Sequence, residues 1–314
     1  MTDLALPHVV VAGEALVDLL PGADGQRIPT PGGGPFNTAR TLGRLGVRTT
    51  FLGAVSTDAY GEILADTLDA DGVTINARLR TARPTTLAVA ELDAHGVARY
   101  SFVIEGTSAP GLTIHKARNA VPSDAAAIHV GSLGLALEPL AMAIEDIVIT
   151  LQDGVLLMVD PNMRPSVPHD HARHAERLSR LIARAHVVKA SDEDLRLMYP
   201  GTEPDAAARA MLTKGPRIVL LTKGADGVNV CGDFANCHIA APKVNVIDTI
   251  GAGDIFSGAW LAKWMELGAS LSDAAAVKEA TSFACGAAAL SCTQRGAIPP
   301  TRSEISSLRQ RARA

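Results

Sequence analysis

Apolar and polar residues alternate along this chain in short blocks, and the period of the blocks changes in a regular order. Val9-Val10-Val11-Ala12 is a continuous apolar run ending in Gly13, the pattern of a strand buried on both faces. Residues 14–31 are mixed, with turn signals at Pro21-Gly22 and Asp24-Gly25, and predict a hairpin standing off the main body. Ala39, Leu42 and Leu45 then recur at helical spacing and stop at Gly46, so a helix follows the glycine-rich stretch 31–37. A strand over 49–55 and a helix over 61–68, closed by Gly72, come next. From 81 to 104 the period drops to two. Runs 85–92 and 98–104 flank Asp93-Ala94-His95-Gly96 and predict a second hairpin that can pair with the first.

Beyond that point short apolar strands at 126–130, 155–159, 186–188 and 217–221 alternate with helices at 137–151, 172–185 and 205–213. An apolar run at 244–247 reads as a last strand. It leads through a glycine turn into a helix with Phe256, Trp260, Trp264 and Leu267 on one stripe. An alanine-rich helix over 272–290 and a basic peripheral helix over 301–314 finish the chain. Strand–helix alternation predicts an α/β fold of three αβα layers around a mostly parallel central sheet, with a small β-sheet outside it. Ligands of such sheets bind past the carboxyl ends of the strands. Those ends carry Gly131, Asp160-Pro161-Asn162, Lys189 and Thr222-Lys223-Gly224, which should line one rim.

Composition narrows the classes. With 314 residues, 47% of them hydrophobic, the chain can bury a large core. A net charge of −4 gives no global basic field for nucleic acid or anionic membrane. Four cysteines, none in a C-x-x-C pair, fit a reducing compartment. Residues 1–7 lack a basic region followed by an apolar core, and the longest apolar stretch, 130–151, is broken by Glu138, Glu145 and Asp146. A cytoplasmic location is therefore expected, with no membrane contact. The P-loop pattern and the G-x-G-x-x-G fingerprint are both absent. His169, Asp170, His171 and His174 read as a solvated helix start rather than a metal site. Cys285 and Cys292, seven apart on the alanine-rich helix, read as core packing.

The chemistry concentrates at two glycine turns that open helices, Gly32-Gly33-Gly34-Pro35-Phe36-Asn37 and Asp248-Thr249-Ile250-Gly251-Ala252-Gly253-Asp254. First-turn N–H groups have no intrahelical partner and the helix dipole adds positive charge, so such a turn can hold an anion. A carboxylate beside that anion needs a chemical task, such as taking a proton. Asp254 as a plain helix N-cap is the simpler alternative. Asp18 and Asn37 can hydrogen-bond a polyol, or can cap a turn and a helix.

The first turn, with Leu42-Gly43-Arg44-Leu45-Gly46, resembles the first signature of the ribokinase-like (PfkB-type) carbohydrate kinases. The second, with Phe256 and Gly258, resembles their second signature. Gly13-Glu14, Asp160-Pro161-Asn162 with Arg164, Thr222-x-Gly224-x-x-Gly227 and Arg295-Gly296-Ala297 occur in the family's order, so the resemblance covers about residues 9 to 300. It implies one ribokinase-like domain over 1–314, with a β lid from about 14–31 and 81–106. It implies transfer of the γ-phosphoryl group of ATP to a sugar hydroxyl, with Mg²⁺ and a monovalent cation such as K⁺. By position, Asp254 matches the general base, and Gly251, Ala252 and Gly253 its anion hole. Asp18, Gly33, Gly34, Asn37 and Arg164 match the sugar side. Lys189, Thr222, Gly224, Gly227 and Cys285 fall on the nucleotide side, and Asp248, Ser291 and Gly296 near the monovalent-cation site. A second copy paired through the lid is the expected partner besides sugar and ATP.

One departure stands out. Many members carry N-x-x-E, tied to Mg²⁺, where this chain has Ser191-Asp192-Glu193-Asp194. Asp194 keeps a charge on a shorter arm, and Glu193 can substitute. The glycine turn and Asp-Pro-Asn-x-Arg most resemble fructokinases. A 2-keto-3-deoxygluconate kinase, which shares the second pattern, is the alternative to a fructokinase; Arg164 then contacts the substrate carboxylate, or simply pairs with Asp160. Ribokinase or nucleoside-kinase activity stands further off. A non-catalytic sugar- or nucleotide-binding protein on the same fold is the reading from another class, and Asp254 argues against it. Tyr100, Phe102 and Ile104 alternate on one hairpin strand, as cover for the sugar or as lid packing.

Overall fold

The computed structural model describes residues 7–22, 26–92, 98–167 and 169–311, with backbone alone at 91, 92 and 98–100. In chain order the strands are β1 (His8–Ala12), β2 (Leu16–Pro21), β3 (Arg27–Gly32), β4 (Arg48–Leu52), β5 (Val55–Ser56), β6 (Val73–Ile75), β7 (Arg80–Thr81), β8 (Leu87–Leu92), β9 (Ala98–Val103), β10 (Ala125–Gly131), β11 (Leu156–Asp160), β12 (Val187–Ser191), β13 (Ile218–Thr222), β14 (Val228–Gly232) and β15 (Cys237–Ile239). The α-helices are α1 (Gly34–Arg44), α2 (Ala59–Ala70), α3 (Ile114–Arg118), α4 (Leu140–Ile149), α5 (His171–Arg184), α6 (Asp192–Met198), α7 (Pro204–Leu212), α8 (Ala252–Leu267), α9 (Ala274–Ser291) and α10 (Arg302–Arg311).

Nine strands form one sheet in the order β15-β14-β13-β12-β11-β10-β1-β4-β6. From β13 to β6 the pairing is parallel, and the β14 edge hairpin is antiparallel. Side chains alternate across the sheet. Val9, Val11, Met158 and Val187 pack toward α1, α8 and α9, while Val10, Ile128, Val159 and Val188 pack toward α4, α5 and α7. Both faces are covered, which explains why the strands read as unbroken apolar runs. A four-stranded sheet, β3-β2-β8-β9, stands off this body, and the two expected hairpins meet where β2 pairs parallel with β8. Its inner face packs through Leu16 and Ala88 on Leu133, Leu137 and Val167, with Phe102 and Ile104 joining them. The turns at 24–25 and 93–96, the Tyr100 side chain and the chain beyond Arg311 lie outside the described residues.

Two expectations fail. Residues 244–247 form no strand; they are an exposed loop, with Val246 and Ile247 more than half accessible. The sheet edge is made instead by β14 and β15. The α8 stripe is also wider than expected. Ile255, Ala259 and Leu261 are as buried as Trp260, so α8 is a core helix between α1 and α9. Trp260 and Trp264 stack at 5.1 Å, and Trp260 Nε1 donates to Thr281 Oγ1 at 3.2 Å. Gly258 permits that position, because a Cβ there would stand 2.6 Å from Thr41 Cβ.

Candidate active site

Parallel strands end together, and the register puts Gly131 beside Asp160 and Ser191 beside Thr222 on one rim. The α8 N-terminus points at that rim. Gly251 is its N-cap, in the left-handed region at φ 72°, and no side chain caps the helix. Ala252 N–H donates to Thr249 and Ile255 N–H to Gly251, so the N–H groups of Gly253 and Asp254 stay without helical partners. Asp254 is therefore not the cap. It lies in the first turn, 8% exposed, with its carboxylate turned toward α1.

Asn37 Nδ2 donates to Asp254 Oδ2 at 3.0 Å, and Asn162 Nδ2 to Oδ1 at 3.3 Å. Gly34 closes the third side, since a Cβ there would stand 3.2 Å from Oδ1. Asn37 Oδ1 is left buried with no donor from the protein, an orphan acceptor that a ligand hydroxyl can satisfy. Asp18, on β2 of the lid, completes the arc; Gly32 lacks a Cβ where the Asp18 carboxylate sits. Burial raises Asp18 to about 6, with the charge of Asp254 adding to it and Arg164 opposing. Burial also raises Asp254, against Asn37, Lys189 and Arg164. Glu14, raised to about 7 by burial, accepts from the N–H groups of Gly34 and Gly134 at 3.1 and 2.8 Å and so ties the first glycine turn to the loop after β10. Gly33 takes φ 112°, which suits glycine alone at this bend.

On the other side of Asp254 lies a cleft of about 670 Å³. Thr222, Gly224 and Gly227 border it, Glu193 and Lys189 reach into it, and Phe256, Cys285, Ala288 and Cys292 make an apolar wall. Burial pushes the Cys285 thiol up to about 12, so it stays protonated and serves as wall. Lys189 is inside β12 rather than past its end, and it pairs with Asp160 at 3.0 Å. Arg164 takes no part in that pair; it donates to Met163 O and is exposed on the rim.

Ser191-x-x-Asp194 proves to be a capping box on α6. Asp194 Oδ2 accepts from Ser191 N–H and Oγ–H, and Oδ1 from Met163 N–H at 2.7 Å, which fastens the loop after β11. Asp248 does similar work nearby, accepting from Ile250 N–H at 3.0 Å and Gly296 N–H at 2.8 Å. Its own N–H donates to Cys292 O, next to Ser291, so Asp248, Ser291 and Gly296 do lie together. The His169 ring meets that of His171 tilted and that of His174 edge-on at the start of α5, capped by Asp170; among the described residues no cluster is fit to hold a metal ion.

The nine-stranded αβα body with a small separate β-sheet is that of a ribokinase-like protein. Comparison with known sequences agrees. The chain belongs to the pfkB family of carbohydrate kinases, whose family model matches residues 7–304. It is 36% identical over 259 residues to a fructokinase of Rhizobium leguminosarum bv. trifolii, covering 81% of this chain and 78% of that one. Among solved structures it superposes on fructokinase from Xylella fastidiosa with bound ATP at a TM-score of 0.90 and 26% identity, over 98% of this chain and 99% of the other. A fructokinase double mutant from Vibrio cholerae O395, bound to fructose, ADP and potassium, matches at 0.86 and 26%, over 96% and 98%.

Proposed function

We propose that this carbohydrate kinase transfers the γ-phosphoryl group of ATP to D-fructose, giving fructose 6-phosphate. The observation that carries it is the place of Asp254. This buried carboxylate stands between the polar side chains of Asp18 and Asn37 and an open cleft on the other side of the helix turn. Phosphoryl transfer asks for positioning and charge stabilisation more than covalent chemistry. Asp18 and Asn37 hold the sugar hydroxyls, and Asn37 with Asn162 aims the Asp254 carboxylate. Asp254 accepts the proton of the attacking hydroxyl, a task helped by a carboxylate raised above its ordinary range. The N–H groups of Gly253 and Asp254 stabilise charge developing on the phosphoryl group in flight. Thr222, Gly224, Gly227 and the Cys285 wall seat the nucleotide. Lid closure excludes water and suppresses hydrolysis of ATP.

The cleft fits a nucleotide-borne Mg²⁺, which needs few protein carboxylates. Glu193 is exposed on the cleft wall without a partner among the described residues, whereas the Asp194 oxygens are engaged in capping. An ion bound there would supply neutralisation of phosphate charge. K⁺ would lie by the loops that carry Asp248, Ser291 and Gly296. Pairing of two copies through the lid and a cytoplasmic location belong to the same reading, and no helix among the described residues is long and apolar enough to cross a membrane.

The test is ADP release with ATP and Mg²⁺ over fructose, ribose, 2-keto-3-deoxygluconate and nucleosides, repeated with Asp254→Asn. Fructose is expected to be the preferred acceptor and the variant nearly inert. No turnover on any sugar, or unchanged turnover in the variant, would overturn the reading. Preference for 2-keto-3-deoxygluconate would overturn the choice of sugar alone.

A further inference from the structure

A buried charged layer lies under the first turn of α8. Lys189 on β12 and Asp160 on β11 face the same side of the sheet, each about 4% or less exposed. Lys189 Nζ lies 3.0 and 3.3 Å from the two Asp160 oxygens, so one carboxylate takes up two of its three N–H bonds. The ammonium also lies 2.8 Å from where a Cβ of Gly253 would stand, and it lines the nucleotide cleft. Ser257 Oγ–H closes the layer, shared between Asp160 Oδ2 at 3.2 Å and Gly253 O at 3.1 Å.

We propose that Asp160 is a positioning residue for phosphoryl transfer: it holds Lys189 charged beneath Gly253, so that the third N–H bond meets the phosphoryl group in flight. The inference rests on the kinase reading above. The physical need is plain. A lysine buried this deeply favours its neutral form, and that is the largest single influence on Lys189; the carboxylates around it outweigh burial and keep it charged. Asp160 is nearest, with Asp194 from α6 and Asp254 from α8 behind it. From β10 the imidazole of His129 faces the same lysine, with both ring nitrogens unbonded and its pKa lowered to about 3 by burial first and Lys189 second. It stays neutral and offers the ammonium no counter-charge. Removing the Asp160 charge takes away the nearest of these carboxylates and its hydrogen bonds, so burial acts more strongly on Lys189 and the amine gives up its proton at lower pH.

The experiment compares kcat and KM for ATP in the unmodified protein, Asp160→Asn, Lys189→Met and the double variant, from about pH 6 to pH 10. These swaps keep side-chain volume, and thermal unfolding checks that each folds. The expected result is an Asp160→Asn deficit in kcat that deepens with rising pH, approaching about tenfold per unit, on a limb the unmodified protein lacks. Lys189→Met should be low at every pH, and adding Asp160→Asn to it should cost nothing more. A deficit equal at every pH, or one that multiplies fully in the double variant, would sink the inference while leaving the kinase reading intact. Absence of turnover by the unmodified protein would sink both.

Discussion

Gly251 and Gly253 stand two residues apart in one motif, and the structure gives them different reasons to be glycine. At Gly251 the backbone is left-handed, φ 72°, and an added Cβ would meet Ala297 Cβ at 2.4 Å. At Gly253 the backbone is helical, and the atom in the way is Lys189 Nζ at 2.8 Å. An alanine at 251 pays twice, in strain and in a collision with a fixed neighbour. Left-handed backbone costs a non-glycine residue roughly 1–2 kcal/mol. The overlap adds about 1–3 kcal/mol more. An alanine at 253 displaces the end of a flexible side chain, and it brings up to about 1 kcal/mol of helix propensity in return. Gly253→Ala should thus unfold within about 2–4 °C of the unmodified protein, while Gly251→Ala melts well below it. Activity should not follow that order. Gly253→Ala pushes the ammonium away and sets a methyl group where phosphate oxygens approach two N–H donors, and a misplacement of about 1 Å is worth on the order of 100-fold in rate. Differential scanning fluorimetry and an ADP-release assay on the same preparations measure both. If Gly253→Ala kept its kcat, or if it melted as early as Gly251→Ala, the separate roles argued for the two glycines would be wrong.

Other outcomes follow from the same geometry. Asp254→Asn keeps the hydrogen bonds of Asn37 and Asn162 only in part and removes the proton acceptor, so kcat should fall about 100- to 10,000-fold with a smaller change in KM, read by steady-state kinetics. Asp18→Asn should weaken fructose binding, seen as a raised KM, yet stabilise the protein above about pH 6. The sign is set by burial: the folded state holds a proton on Asp18 up to about 6 while the unfolded chain releases it near 3.8, so wild-type stability drops across that interval and the variant escapes the drop. Melting curves at pH 4 and pH 7.5 would show it, and equal shifts at both would count against it. Asp194→Asn weakens the capping box and should cost about 1 kcal/mol of stability, seen as a lower melting temperature, with little change in Mg²⁺ dependence. Glu193→Gln should do the reverse in a Mg²⁺ titration. Asp248→Ala frees two loop N–H groups and should reduce both stability and any activation by K⁺ over Na⁺.

How far the sequence reached depends on whether a residue's partner is near in the chain or only in space. The two glycine turns were legible because strand end, glycine and helix start are local signals. So were Asp18, Asn37 and Asp254, which stand at those turns or just past a strand end. The strand expected at 244–247 failed for the opposite reason. Apolar residues there read as a buried strand, yet the sheet edge was already filled by β14 and β15, and the loop stayed exposed. Asn162 sits in the Asp-Pro-Asn-x-Arg motif, but its bond to Asp254 spans 92 residues, and no local pattern marks it. Lys189 was placed past the end of its strand because Lys is seldom buried. Only the fold supplies Asp160 from the neighbouring strand, and with it the reason a lysine can sit in a core.

The same contrast sharpens the meaning of the Asp248–Asp254 motif. Its carboxylates look alike in sequence, each beside a glycine turn. Asp248 has both oxygens committed to backbone N–H groups of two loops, so its charge is spent on shape. Asp254 accepts from the side-chain amides of Asn37 and Asn162 and is buried beside an uncapped helix end. A base must meet the hydroxyl it deprotonates, and Asp254, unlike Asp248, is buried beside Asn37 Oδ1, the acceptor left without a donor from the protein. Hydrogen-bond partners, rather than position in the motif, select Asp254 for proton transfer.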